Sequence, residues 1–216
     1  MPCIDERIGQ SRRSTKIVGP QQRKIVAKPS LQVIIGSTRP GRVGPAIARW
    51  FYDIAVADGT FAVELVDLAD FDLPVFNEPR HPVTRQYEFD YTKKWSETIT
   101  RADALVFVIP EYNHSFNGAT KNAIDYLHHE WKHKPVGIVS YGGMAMGVRA
   151  VQALKPIFAG LRLIFSGEVT IPLPLVPVVD GVFAGDEVLN RGAQAIVREL
   201  SIISPPLKTL RESGAF

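Results

Sequence analysis

Three loops hold the residues of this chain that are best suited to chemistry. The first reads GSTRPGRVG over 36–44, the second reads PEYNHSFNG over 110–118, and the third reads SYGGMAMG over 140–147. The first loop leads directly into a helical pattern. The N–H groups at a helix start attract anions, hydroxyl groups donate to them, and arginine binds phosphate through two N–H groups at once. The first loop therefore predicts a phosphate site formed by Ser37, Thr38, Arg39, Arg42 and the helix start at Val43 and Gly44.

The spacing of this loop differs from two common phosphate motifs. A P-loop has lysine and then serine or threonine where this chain has Arg42 and Val43, so it lacks the groups that bind terminal phosphates and Mg²⁺. The glycines at 36, 41 and 44 also do not follow the dinucleotide fingerprint. A single terminal phosphate fits the loop better, and an ordinary turn between a strand and a helix is the simpler alternative.

The second and third loops are suited to a flat aromatic ligand. Glycines near Gly142 let the backbone approach a ligand closely, and backbone N–H groups around Tyr112 and Asn113 can bond the edge of a ring. Either loop alone could be an ordinary connection. Together, the three loops predict a site for an aromatic ligand that carries a phosphate.

The elements that must position these loops alternate between β-rich runs and helical stretches. Apolar runs such as ALVFVI are typical of strands buried on both faces of a parallel sheet. Five such units predict an α/β fold with a doubly wound, five-stranded parallel sheet and helices on both faces, in which ligands bind beyond the carboxyl ends of the strands. The predicted strands are 31–35, 61–67, 104–109, 135–140 and one within 161–171.

The helical pattern has several predicted boundaries. We expect a first helix over 43–57, ended by Gly59, and a second that includes Trp95 and Ile99. A third should follow Asn117 and reach His129. Proline disfavours helix interiors, so Pro156 should kink or end a helix that begins near Gly147, and Pro205 with Pro206 should stop a last helix that spans Leu189 to Leu200.

Length, charge and cysteine content limit the remaining possibilities. The 216 residues suit one domain, which we place at 31–216 after a basic tail at 1–30 that should be disordered. The tail holds seven of the 25 basic residues and two of the 22 acidic ones, a balance of +5, and the rest of the chain is then at −2. This distribution gives no reason to expect nucleic acid as a partner. The single cysteine, Cys3, excludes an internal disulfide.

The sequence also gives no sign of a membrane partner. The longest apolar run, Ala104 to Ile109, is far shorter than the roughly 20 residues of a membrane span, and no signal peptide pattern is present. We therefore expect a cytoplasmic protein.

Three segments carry a resemblance to a known family. GSTRPGR at 36–42, PEYNHSFNGATKNAIDYL at 110–127 and SYGGMAMGVRA at 140–150 resemble, in the same order, the NADPH-dependent FMN reductases of flavodoxin-like fold, which include quinone, azo-dye and chromate reductases. Asn117 stands where many members have proline. Arg42 and Gly44 stand where many have serine and asparagine, and Met144 and Met146 stand where smaller residues are frequent.

The resemblance implies a flavin-dependent activity. FMN would be bound noncovalently, and NADPH or NADH would give a hydride to flavin N5, from which electrons pass to a small acceptor such as free flavin or a quinone. The cofactor carries this chemistry, so no catalytic side chain is implied, although Arg39 or Arg149 could hold the nicotinamide phosphate. A homodimer or homotetramer is implied as well. The ring-binding residues implied are Pro110, Glu111, Tyr112, Asn113, Ser140, Tyr141, Gly142 and Gly143.

Two other functions stay open from the sequence. One is a flavodoxin-like electron shuttle or flavin-binding module that does not oxidise NADPH. The other is a zinc hydrolase, because His129, Glu130 and His133 match the HExxH pattern. Such a zinc site needs both histidines one turn apart on an unbroken helix, and Pro135 follows too closely for that. A solvated helix end is the simpler interpretation of this segment.

Overall fold

The computed structural model of the protein describes residues 27–214. Its centre is a five-stranded parallel sheet with the order β2-β1-β3-β5-β6, to which the two-residue β4 adds an antiparallel pair at the end of β3. This order is the flavodoxin-like version of a doubly wound fold, so the predicted fold class is confirmed. The strands are β1 (Ser30–Ile35), β2 (Ala62–Asp67), β3 (Ala104–Tyr112), β4 (Ser115–Phe116), β5 (Pro135–Gly142) and β6 (Ile164–Pro172).

Five helices cover the two faces of the sheet. Alternate residues of β3 point to opposite faces, as the period of a strand requires: Val106 and Val108 pack with α1 and α5, whereas Leu105 and Phe107 pack with α2, α3 and α4. Both faces are therefore apolar, which explains the continuous apolar run of this strand. The helices are α1 (Gly44–Asp58), α2 (Asp90–Arg101), α3 (Gly118–Asp125), α4 (Val148–Gly160) and α5 (Glu187–Ser213).

The third helix is shorter than its sequence pattern predicts. It ends at Asp125, and His129–Trp131 forms a separate 3-10 turn. The fully buried indole of Trp131 donates from Nε1 to the carbonyls of Ile124 (3.1 Å) and Leu127 (3.2 Å). These contacts satisfy carbonyl groups that a longer helix would have paired with its own N–H groups.

The prediction that Pro205 and Pro206 stop the last helix was wrong, and Pro156 does not end its helix. Pro156 lies inside α4, and α5 continues through Pro205 and Pro206 to Ser213. A proline inside a helix costs about 3 kcal/mol. Beyond the two prolines, however, Lys208 Nζ and Arg211 Nη2 bind the Asp103 carboxylate at 3.0 and 3.2 Å. The contacts to Asp103 favour the longer helix.

The structure bears only in part on two further predictions, the disordered tail and the absence of a membrane span. The disorder predicted for the tail at 1–30 falls outside the described residues, except for 27–30. Within residues 27–214, none of the helices combines the length and the apolar character that crossing a bilayer requires.

A buried lysine at the start of β5 makes the stability of this fold depend on pH. Lys134 is 3% exposed and donates from Nζ to the carbonyls of Ile99 and Thr100 at the end of α2. Burial, followed by the nearby Arg211, lowers its pKa from 10.5 to about 7. Between these two values the unfolded chain binds a proton that the folded chain does not, so stability rises with pH across this window.

We expect Lys134→Met to remove this rise. The melting temperature of the wild type should increase relative to that of the variant between about pH 7.5 and pH 9.5, as measured by circular dichroism. Lys94→Met, at a largely exposed lysine of α2, is the matched control and should keep the rise. Parallel curves for wild type and Lys134→Met would contradict the prediction.

Candidate functional site

The loops after β1, β3 and β5 meet at the carboxyl edge of the sheet. Arg39 Nε donates to the Tyr112 hydroxyl at 3.0 Å and so joins the first loop to the second. Between the loops lies a cavity of about 280 Å³. Nine of the predicted site residues line it, and the segment after β6 adds two residues that the sequence analysis did not identify. These eleven residues are Arg39, Arg42, Val43, Pro110, Glu111, Tyr112, Tyr141, Gly142, Gly143, Leu173 and Pro174.

The start of α1 has the features of a phosphate site. Its N-cap residue, Val43, makes no side-chain cap, so the first N–H groups of the helix are available to an anion. The Ser37 side chain is 1% exposed, and its hydroxyl makes no well-formed hydrogen bond in the described part of the chain. A buried hydroxyl of this kind is costly unless a ligand uses it.

Two neighbours define the space around Ser37. A Cβ atom at Gly44 would lie 2.4 Å from Ser37 Oγ and 2.8 Å from the Tyr141 hydroxyl oxygen, so only glycine allows both hydroxyls to lie this close to the helix. Burial raises the pKa of Tyr141 to about 12, and the neighbouring Ser37 hydroxyl opposes this only in part. Tyr141 therefore stays a neutral hydroxyl donor at physiological pH. These residues fit the terminal phosphate of FMN.

The two arginines of the first loop have different surroundings. Arg42 makes a bidentate ion pair with Asp67 at the end of β2, with both N–O distances at 2.7 Å, and also donates to the Ser37 carbonyl. This guanidinium therefore holds the loop against the sheet. Arg39 is exposed and has no carboxylate partner within residues 27–214, which leaves its charge available to a ligand.

Asn117 supports the first loop from below, a role that the sequence analysis missed. Its side chain is 4% exposed, and Nδ2 donates to the Gly36 carbonyl at 2.6 Å. The Thr120 hydroxyl donates to Asn117 Oδ1 at 2.8 Å and so fixes the amide. In the sequence, Asn117 stands out only as a departure from the family pattern.

Glu111 connects the second loop to α4. Its side chain is 6% exposed, and Oε2 accepts from the backbone N–H of Arg149 at 3.2 Å, while Oε1 pairs with the Arg149 guanidinium. Glu111 thus caps the start of α4, which otherwise lacks a side-chain cap. The sequence analysis named Arg149 as a candidate to bind the nicotinamide phosphate. In the structure, the Glu111 carboxylate balances the charge of Arg149.

We expect Glu111→Gln to raise the dissociation constant for FMN about tenfold. The substitution keeps the shape of the side chain but replaces a charged hydrogen-bond partner, a loss of about 1.5–3 kcal/mol, and this loosens the loop. Fluorescence quenching of FMN measures the effect. Glu168→Gln is the matched control, because it removes an ion pair to Lys155 (2.6 Å) outside the three loops. Equal affinities for the two variants would refute the role of Glu111.

The structure places the other predicted site residues outside the cavity lining. Ser140 is fully buried beneath the third loop, and its hydroxyl donates weakly to the Met146 carbonyl at 3.4 Å. Asn113 is exposed, with a left-handed backbone at φ 45°. Thr38 lines a separate cavity of about 260 Å³ beside α3. Ser37 and Gly44 lie beneath the lining, at the start of α1.

The segment that matches the zinc pattern does not form a zinc site. His129 lies in a 3-10 turn, and His133 follows it with a left-handed backbone at φ 55°, so the two histidines do not share a helical face. Glu130 is buried and accepts from the hydroxyls of Tyr87 (2.9 Å) and Ser96 (2.7 Å). The expectation of a solvated helix end was wrong as well. No group of histidine, cysteine or carboxylate residues in the described range could hold a metal ion.

Comparisons with known proteins point to one family of enzymes. The sequence profile of the NADPH-dependent FMN reductase family matches residues 29–175. An NAD(P)H-dependent FMN reductase of Nectria sp is 36% identical over 84% of this chain and 94% of its own length. Another, of Schizosaccharomyces pombe, is 39% identical over 71% of this chain and 78% of its own length.

A solved structure shows the same fold. The flavoenzyme NAD(P)H:(acceptor) oxidoreductase FerB of Paracoccus denitrificans superposes with a TM-score of 0.61 at 21% identity, over 82% of this chain and 98% of its own. The fold is flavodoxin-like, and the family match and the relatives give the class of protein, a flavin-dependent oxidoreductase. Within that class, the chain belongs to the NADPH-dependent FMN reductase family.

Proposed function

We propose that the three loops hold FMN noncovalently and that the enzyme passes electrons from NADPH or NADH to a small acceptor. The observation that carries this proposal is the start of α1, where uncapped N–H groups lie next to the buried Ser37 hydroxyl. The phosphate would bind there, and the ring would occupy the cavity beside Pro110, Tyr112 and Gly142. Bound FMN supplies the hydride chemistry, since its N5 position accepts a hydride from the nicotinamide.

The residues of this chain bind and orient the reactants. The hydroxyls of Ser37 and Tyr141 donate to phosphate, and Gly44 keeps both within reach. Glu111 and Asn117 fix the loops, so little order has to be gained on binding. In this proposal no side chain acts as an acid or base, because hydride transfer needs close contact and alignment rather than a proton donor.

Arg39 is the better of the two candidates for the phosphate of the nicotinamide nucleotide. It lines the cavity, and its guanidinium donates to the Tyr112 hydroxyl at 3.0 Å and to the Pro40 carbonyl at 3.5 Å, neither of which is a carboxylate. Arg149, in contrast, is paired with Glu111. A guanidinium without a carboxylate partner offers its full charge to a phosphate.

The acceptor, the assembly and the location are further parts of the proposal. The acceptor is a small molecule, such as free flavin or a quinone, that occupies the nicotinamide position after the oxidised nucleotide leaves. We propose a homodimer or homotetramer, supported by the 88% exposed Val75 and the 69% exposed Leu175, since apolar surface favours association. We place the domain at 31–216 and the protein in the cytoplasm.

An absorbance spectrum of the purified protein tests the central claim. After loading with FMN, the protein should show the bands of an oxidised flavin, and NADPH should bleach them under anaerobic conditions. Flavin binding without bleaching would favour an electron shuttle. If no flavin binds during the titration, the proposal fails, and metal analysis of the same sample would then test the zinc alternative directly.

A further inference from the structure

A second polar recess lies at the opposite edge of the sheet from the three loops. It is a cavity of about 240 Å³ at the end of α2, the start of β5 and the end of α5. Five side chains that can carry positive charge line it, against two carboxylates. These residues are Arg85, His129, Lys132, Lys134 and Arg211, with Glu130 and Glu212.

The charges around this recess do not balance locally. The buried Glu130 carboxylate is bound to the hydroxyls of Tyr87 and Ser96, and Arg211 is paired with Asp103 at 3.2 Å. Arg85 and Lys132 make no ion pair and no side-chain hydrogen bond with any residue of 27–214. Within the described residues, these two unpaired cations outnumber the one remaining carboxylate of the lining, that of Glu212.

Lys134 adds a third basic side chain to the lining of the recess, and it is the buried one. Only 3% of the Lys134 surface is exposed. Its amino group donates to two uncharged groups, the carbonyls of Ile99 and Thr100. Below its pKa of about 7 the group is an ammonium with three N–H donors, so one remains for a ligand. The unfavourable burial that lowers the pKa of Lys134 would be offset by an anion placed beside it.

The backbone around the recess is held in place. Arg85 has a left-handed backbone at φ 54°, and its N–H bonds the Pro82 carbonyl at 3.1 Å. His129 Nε2 contacts the Val83 carbonyl at 2.8 Å and so links the two segments. A neighbouring cavity of about 280 Å³ shares Arg85, His129 and Lys132 with this recess. The two cavities together offer space for a molecule larger than a single oxyanion.

We propose that this recess is an anion site, distinct from the flavin site, that binds the phosphate or sulfate group of a small molecule. The buried Lys134 would donate to this group together with Arg85 and Lys132. Three cations around a recess, one of them buried, concentrate positive potential more effectively than the same charges on an open surface. The site does not depend on the flavin chemistry proposed above.

Sulfate is a suitable probe because its charge does not change near neutral pH. The holoenzyme, saturated with FMN so that the phosphate site at α1 is filled, would be titrated with sulfate at about pH 6, below the pKa of Lys134, and at constant ionic strength. Binding would be followed by ¹H–¹⁵N NMR. We expect saturable shifts at the amides of Arg85, Thr100, Lys132 and Lys134. The double variant Arg85→Ala with Lys132→Ala should bind sulfate at least about tenfold more weakly, in line with the loss of two charged donors.

Matched variants distinguish a specific sulfate site from nonspecific attraction of sulfate to the positive charge of the protein. Arg49→Ala with Arg198→Ala removes the same charge from exposed positions elsewhere and should leave sulfate binding unchanged. Lys134→Met should weaken binding if it folds, and the double variant keeps the test valid if it does not. Shifts that do not saturate, shifts confined to the three loops, or equal binding by the Arg85/Lys132 variant and the wild type would overturn the proposal.

Discussion

Gly44→Ala should raise the dissociation constant for FMN about 100-fold while leaving the fold intact. The new Cβ atom would lie 2.4 Å from Ser37 Oγ and 2.8 Å from the Tyr141 hydroxyl oxygen, so one or both hydroxyls must move away from the start of α1. Each hydrogen bond to a charged phosphate contributes about 1.5–3 kcal/mol, and about 2.7 kcal/mol corresponds to 100-fold in affinity. Fluorescence titration with FMN measures the change.

The stability of the same variant separates binding from folding. Alanine is a better helix former than glycine, which offsets part of the cost of moving the two hydroxyls. The melting temperature of the flavin-free variant should therefore fall only slightly. Gly160→Ala is the matched control, because its Cβ would meet no atom within 4 Å and the residue also lies at a helix end. If Gly44→Ala binds FMN as tightly as Gly160→Ala does, the phosphate does not lie at the start of α1.

The sheet and the position of the site could be predicted from the sequence because both depend on local patterns. A buried parallel strand is apolar on both faces, so the run at Ala104 to Ile109 identifies it without knowledge of its neighbours. Once the strands are known, their carboxyl ends must share one edge. The loops at 36–44, 110–118 and 140–147 were therefore placed together by topology alone.

The contacts that shape the site could not be predicted, because they join residues distant in the chain. Asn117 bonds the carbonyl of Gly36 across 81 positions, and nothing beside Asn117 in the sequence indicates this partner. The helix through Pro205 and Pro206 is a similar case. Local propensity predicts a stop there, whereas ion pairs from Lys208 and Arg211 to Asp103 favour continuation.

Arg42 is the residue for which the sequence and the structure suggest different roles. The sequence predicts that it binds phosphate directly, whereas its guanidinium pairs with the Asp67 carboxylate and also donates to the Ser37 carbonyl. If Arg42 acts by holding the loop, removing the Asp67 charge should harm FMN binding. If Arg42 binds phosphate directly, the same change should free its guanidinium for the phosphate and so strengthen FMN binding.

We expect Asp67→Asn to raise the FMN dissociation constant about 30-fold, as measured by the same titration. Asparagine keeps the size of the side chain but cannot form the bidentate charged pair, whose loss in this half-buried place corresponds to about 2 kcal/mol. Glu64→Gln is the control, because Glu64 lies on the same strand as Asp67 and forms an exposed pair with Arg101 of α2. This substitution should change the affinity little. Tighter binding by Asp67→Asn would show instead that Arg42 contacts the phosphate, and the double variant with Arg42→Gln would then lose that gain.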